Sequence, residues 1–320
     1  MNQKNHIYFL VVSSLLLYTL SFSPLFMAVA QASNDQEVIP TSKEATKVDL
    51  YNKIQSYSEQ HNSQPIDAKI DPIWKAIPGY NGLEINVEAS YKKMKKYGKF
   101  DEKKIVYKEI PPKVSLEDLE VQPIYRGNPE KPMVAFLINV AWGNEYIPKI
   151  LEVLKQHNTK ATFFLDGSWT NKNPDVAKQI KDAGHEIGNH AYSHPDLQKR
   201  SMAETQEELK KTNDVIEQTL GIKPKWFAPP SGSFNDTTVQ VADQLNMKTI
   251  LWTVDTVDWK KPAPSEMVNR VVSKIENGAM VLMHPTEPVA EGIDAMISEI
   301  KEKGYQLGTV TELMDEKRIK

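Results

Sequence analysis

From residue 132 onward the chain alternates short apolar runs with stretches of helical periodicity, and this alternation restricts the fold more than any other feature. Val134-Ala-Phe-Leu-Ile138 is apolar throughout, as expected of a strand buried on both faces of a helix-covered parallel sheet. A helix is expected from about Glu145 to His157, then a strand at Ala161–Leu165, a helix near Pro174–Ala183 and a short strand at Glu186–Gly188. A long helix follows over Ala203–Leu220 and is stopped by Gly221. Further strands are expected near Lys225–Phe227, Lys248–Trp252 and Ala279–Met283, with helices over Phe234–Leu245, Ser265–Glu276 and Ile293–Lys303. Repeated β-α units of this length require parallel strands with crossover helices, in a barrel or a doubly wound sheet.

The rest of the chain is organised differently. Lys4 and His6 precede an apolar run from Ile7 to about Met27, and small-x-small sites follow at Ala28-Val-Ala30 and Ala30-Gln-Ala32. Residues 1–32 thus have the layout of a secretory signal peptide, or of an uncleaved anchor, since the run nearly reaches the roughly 20 residues that span a bilayer. Either places the remainder outside the cytoplasm. Residues 33–65 are polar and are expected to be a linker. Residues 66–121 read as a small α/β module, with turn signals at Pro78-Gly79 and Asn81-Gly82 and a lysine-rich helix from Val87 to Tyr97. Its Lys92, Lys93, Lys95 and Lys96 are expected on a solvated face. The net charge of −3 implies no polyanionic partner, and no nucleic-acid motif is present. The absence of cysteine excludes disulfides and thiolate metal sites.

Residues able to carry chemistry sit just after the expected strands. Asn139, Asp166, Asp255 and His284 each follow an apolar run, and parallel α/β folds gather such strand ends into one cleft. His190 and His194 are four apart. If they open a helix, their rings share one side, as two ligands of a divalent metal such as zinc. Asp255 or Asp258 would orient His284 as a general acid. Neither Ser193 nor Ser231 lies in a nucleophile elbow.

Taken together these segments resemble the polysaccharide deacetylase family, the NodB-homology domain of the carbohydrate esterases. The resemblance rests on Lys160-Ala-Thr-Phe-Phe164, Gly184-His-Glu-Ile-Gly-Asn-His190, Tyr192-Ser-His-Pro195, Pro229-Pro230, Trp252-Thr-Val-Asp255 through Asp258-Trp259, and Leu282-Met-His284. It covers about residues 128–312. The signal segment and Trp142-Gly143 most resemble the sporulation-associated branch of spore-forming Gram-positive bacteria. The resemblance implies a distorted (β/α) barrel with parallel strands, and metal-dependent removal of N-acetyl groups from envelope glycans, peptidoglycan or chitin-like.

Residue by residue, it implies His190 and His194 as metal ligands for zinc or cobalt, and His284 as general acid supported by Asp255 or Asp258. Trp142, Pro229, Pro230, Trp259 and Leu282 are expected to wall the cleft. The first family motif, T-F-D-D, reads Leu137-Ile-Asn-Val140. Asn139 therefore stands where the family has its general base, and an amide cannot take a proton from water. Val140 stands at the position of a metal-ligating Asp. Ala228 replaces the Arg that pairs with the base, and Ala191 the usual Ser or Thr. Asp166 is a candidate substitute ligand or base, or else a helix cap.

Two readings remain open from the sequence. One is a weak or altered metal-dependent de-N-acetylase, a hydrolase of non-peptide carbon–nitrogen bonds. The other is a pseudoenzyme that binds envelope polysaccharide or peptidoglycan, or serves spore and envelope assembly. The chain would be extracellular, envelope- or spore-associated, with any membrane contact made through the N-terminal segment.

Overall fold

The computed structural model describes residues 42–319; the expected signal or anchor over residues 1–32 lies outside them. Among the described residues, no helix is long and apolar enough to cross a membrane. A small N-terminal region comes first. It contains helix α1 (Ser42–His61), strands β1 (Lys69–Asp71), β2 (Lys75–Ile77) and β3 (Gly82–Ile85), helix α2 (Val87–Met94) and strand β4 (Tyr107–Ile110). Strands β1–β2 and β3–β4 are antiparallel pairs.

Much of the segment expected to be a polar linker is thus helical. Its polar composition masks Leu50 and Ile54, one turn apart, which pack with Ile85, Met94 and Ile105 in a small satellite core. The four lysines of 92–96 are exposed, as expected.

The remaining strands are β5 (Met133–Val140), β6 (Thr162–Leu165), β7 (Glu186–Asn189), β8 (Trp226–Phe227), β9 (Lys248–Thr249), β10 (Val254–Asp255), β11 (Met280–Met283) and β12 (Gln306–Gly308). They form one curled sheet in the order β10-β11-β5-β6-β7-β8-β9, and β12 pairs with the start of β5. Each described pairing in this sheet is parallel. Helices α3 (Ile147–Gln156), α4 (Gly167–Lys172), α5 (Pro174–Asp182), α6 (Met202–Leu220), α7 (Asp236–Gln244), α8 (Pro264–Val272), α9 (Glu287–Glu302) and α10 (Val310–Met314) complete the crossovers. This is the distorted (β/α) barrel expected from the sequence. The run Lys248–Trp252 yields a strand of two residues before the chain turns away to a second short strand, β10. Helix α9 begins six residues earlier than its periodicity suggests, with Pro288 in its first turn.

Strand periodicity decides what each residue of β5 faces. Val134, Phe136, Ile138 and Val140 pack into the layer between sheet and helices. Met133, Ala135 and Leu137 fill the barrel interior. Asn139 continues the inner series to the open mouth, whereas Val140 belongs to the outer layer.

The described residues from 46 onward form one compact unit. Pro123, Gly127, Pro129 and Pro132 read in the sequence as a domain boundary, yet Ile124 among them is fully buried. Its N–H donates to Thr249 O, its carbonyl accepts from Leu251 N, and Ala76 N donates to Pro123 O. The N-terminal strands thereby extend the edge of the barrel sheet.

The mouth of the barrel as a candidate active site

A cavity of about 430 Å³ opens at the carboxyl ends of the strands, lined by Asn139, His190, His194, Asp255, Leu282 and His284, with Ala141, Trp142, Ser231, Trp252 and Trp259 around them. A larger cavity of about 1010 Å³ lies elsewhere, beside α6 and the start of β8, and holds no histidine.

His190 follows β7 directly and is 1% exposed. Its Nδ1 donates to Ala228 O at 2.7 Å, which leaves the Nε2 lone pair free. Burial, the neighbouring His194 and, more weakly, His284 push its pKa down to about 3 against the pull of that carbonyl. The ring is therefore neutral. His194 does not reach it along a helix, as the spacing suggested. The segment is a loop in which Ala191 and His194 both take left-handed backbone angles, φ +59° and +55°. Glu208 of α6 holds that loop by accepting from Tyr192 N, Ser193 N and Ser193 Oγ. The two imidazoles end 5.2 Å apart, edge to face.

Asp258, fully buried, is the partner of His284. Its Oδ1 accepts from His284 Nδ1 at 3.0 Å and from Thr256 Oγ1, and its Oδ2 accepts from His284 N and Thr286 Oγ1. Burial alone would raise its pKa, but these donors together hold it below the usual carboxylate range. Asp255 lines the cavity instead and accepts from Val257 N. Val257 sits at φ +54°, a costly conformation for a β-branched residue, and so marks strain beside the site. No motif pointed to Thr256, Thr286 or Arg270, which donates to Thr256 O.

One expectation is corrected and one open choice is decided. Asp166 is the N-cap of α4: its Oδ1 accepts from Trp169 N at 2.8 Å and from Ser168 Oγ. Burial raises its pKa against those bonds and against His194. Pro229 and Pro230 are buried behind the cavity, whose wall there is Ser231 and Trp252. Val140, fully buried in the outer apolar layer, does not line the mouth. By contrast Trp142 and Trp259, 47% and 55% exposed, stand at the entrance, and the Trp142 ring centre is 5.3 Å from that of His284.

Residues 126–250 match the polysaccharide deacetylase family. Over 194 residues the chain is 35% identical to a peptidoglycan-N-acetylglucosamine deacetylase of Bacillus cereus, spanning 59% of this chain and 70% of that one. The chain belongs to the polysaccharide deacetylase family. It is also 58% identical to the uncharacterised protein YlxY of Bacillus subtilis, over 86% of each chain. A crystal structure of BA3943, described as a CE4 family pseudoenzyme from Bacillus anthracis, superposes with a TM-score of 0.81 at 54% identity, covering 84% of this chain and 96% of that one. A BA3943 mutant described as having restored enzymatic activity superposes equally well, at 53% identity and TM-score 0.81, over 84% and 99% of the two chains.

Deacetylases of this family depend on a metal; in this chain His190 and His194 are the two imidazoles at the mouth that could take part in holding one. A third donor is missing: Val140 faces away and is apolar, and Asp166 is committed to its helix. Among the described residues, no group of three or more His, Asp or Glu is placed to hold a metal ion. The residues present therefore do not complete the family's ligand set. Asn139 adds to the mismatch: it is 4% exposed, and its Oδ1 has no hydrogen-bond partner.

Proposed function

We propose that this chain is a deacetylase-fold pseudoenzyme that holds an N-acetylhexosamine polymer of the cell envelope, peptidoglycan or chitin-like, without turning it over. The observation that carries this reading is the pairing of an intact cleft with an empty base position. Asp258 fixes the orientation of His284, and three Trp side chains wall the cavity. The residue that would draw a proton from water is the amide Asn139. Loss of a general base costs roughly 10²–10⁴-fold in rate, and the carboxylate that does line the cavity, Asp255, lies at a different strand end and accepts from Val257 N. The similarity to BA3943 and to peptidoglycan deacetylases supports both halves of the reading.

A second reading, residual de-N-acetylation, is favoured by the preserved His284–Asp258 pair and the free Nε2 of His190. It would require zinc or cobalt to be recruited by two histidines alone.

An export segment over residues 1–32 and an envelope location fit such a ligand. In this reading residues 128–312 are the glycan-binding unit and 66–121 an accessory region. The test combines peptidoglycan co-sedimentation with acetate release from peptidoglycan and an N-acetylglucosamine polymer, with zinc or cobalt added. Binding without acetate is expected. Acetate release at a rate typical of an enzyme would overturn the proposal.

A further inference from the structure

The chain has six tryptophans, and the two exposed ones stand together at one entrance. Trp142 and Trp259 are 47% and 55% exposed, whereas the other four are buried or half-buried. An indole left in water favours any ligand that covers it. Lys260 Nζ lies over one face of Trp259, 4.9 Å from the ring centre, and His284 flanks Trp142. The rest of each ring is open.

Both rings are held out by constrained backbone. Gly143 takes φ +82° and passes so close to Pro285 that a Cβ there would meet Pro285 O at 1.9 Å. The turn that carries Trp142 therefore requires glycine. Val257 and Lys261, at φ +54° and +53°, bracket the short turn Asp258–Lys260 that carries Trp259. Asp258 anchors that turn by accepting from His284 N and Thr286 Oγ1. Conformations this costly persist only where the surroundings fix them.

Both sides of the Trp pair are hollow. The mouth described above, about 430 Å³, lies on one side. A chamber of about 300 Å³ lies on the other, lined by Tyr146, Lys261 and Pro285 with Glu145 and Glu287. Trp142 and Trp259 are the residues common to both. Glu145 and Glu287 are exposed and, among the described residues, have no ion-pair or hydrogen-bond partner. An indole wall with free carboxylates suits a pyranose ring, whose C–H face packs on an aromatic side chain and whose hydroxyls donate to acceptors.

Building on the glycan-binding reading above, we infer that this chamber is a second sugar subsite. The polymer crosses the Trp142–Trp259 pair, with one hexosamine in the mouth and a further unit of the same strand in the chamber. Two subsites on one strand multiply affinity, so the cleft selects a strand long enough to fill both.

Calorimetry on the purified chain with N-acetylglucosamine and with its tetramer tests this. The tetramer should bind at least about tenfold more tightly than the single sugar. Glu145→Ala with Glu287→Ala, both exposed and outside the mouth, should remove most of that gain. A tetramer that binds no better than the single sugar would overturn the inference and leave the glycan-binding reading standing. A gain that survives in the double variant would mean that the strand leaves the mouth in another direction, and would also overturn it. If neither ligand binds, both readings fall.

Discussion

At the scale of single residues, the loss of catalytic groups follows from which way each side chain points. Asn139 lies on the inner face of its strand and is the correct element for a base with the wrong chemistry. Val140 is one residue on and therefore faces the helices. This was half legible in the sequence. The motif comparison located both positions, but only the register of β5 shows that Val140 is embedded among Phe136, Ile138 and their neighbours. Asp166 was open between ligand and cap, and its position before Gly167-Ser-Trp169 carried the cap signal that the structure bears out. Asp166→Ala should cost about 1 kcal/mol of stability, the usual worth of an N-cap. It should not change zinc or cobalt affinity in titrations. A loss of metal binding without a matching loss of stability would return Asp166 to the ligand set.

At the scale of elements, the β-α alternation was readable because buried parallel strands are apolar on both faces, and β5, β6, β7 and β11 fall where those runs predict. The short strands β9, β10 and β12 were harder to read, since two or three residues carry no periodicity. The same holds for the loop from His190 to His194. Spacing alone could not distinguish a helical turn from a loop bent by two left-handed residues. Helix α1 escaped notice because its polar residues outnumber the apolar side chains that dock it. The chain end also stitches elements together. Glu316 accepts from Gly79 N and Leu116 N, and Arg318 donates to Asn81 O and Ser63 Oγ. Glu316→Ala with Arg318→Ala should lower stability by roughly 2–4 kcal/mol. Limited proteolysis should then cut residues 46–121 faster than the barrel. An unchanged cleavage pattern would show that the edge pairing through Ile124 suffices.

At the scale of the molecule, two buried neutral histidines set the response to acid. His190 is held at about 3 and His185 at about 4, both by burial first and then by a neighbouring positive charge, against an ordinary value of 6.5. The unfolded chain takes up these protons below that ordinary value while the folded chain does not. Their contribution is therefore complete above pH 6.5 and is lost as pH falls toward 4. Between pH 7 and 5 each should account for about 2 kcal/mol. Asp258, with its pKa depressed, contributes stability above the usual carboxylate range and loses it only in stronger acid. Urea midpoints should thus fall from pH 7 to pH 5, and far less so in a His185→Gln, His190→Gln variant. A flat profile in the parent would contradict the burial argument.

The central claim is that the cleft is assembled and only the base and third ligand are missing. Its most direct test is acetate release from an N-acetylglucosamine oligomer by the parent and by the Asn139→Asp, Ala228→Arg variant, which restores the base and its partner at the mouth, each with added zinc or cobalt. The account predicts no release by the parent and measurable turnover by the variant. Turnover by the parent at a comparable rate would contradict it.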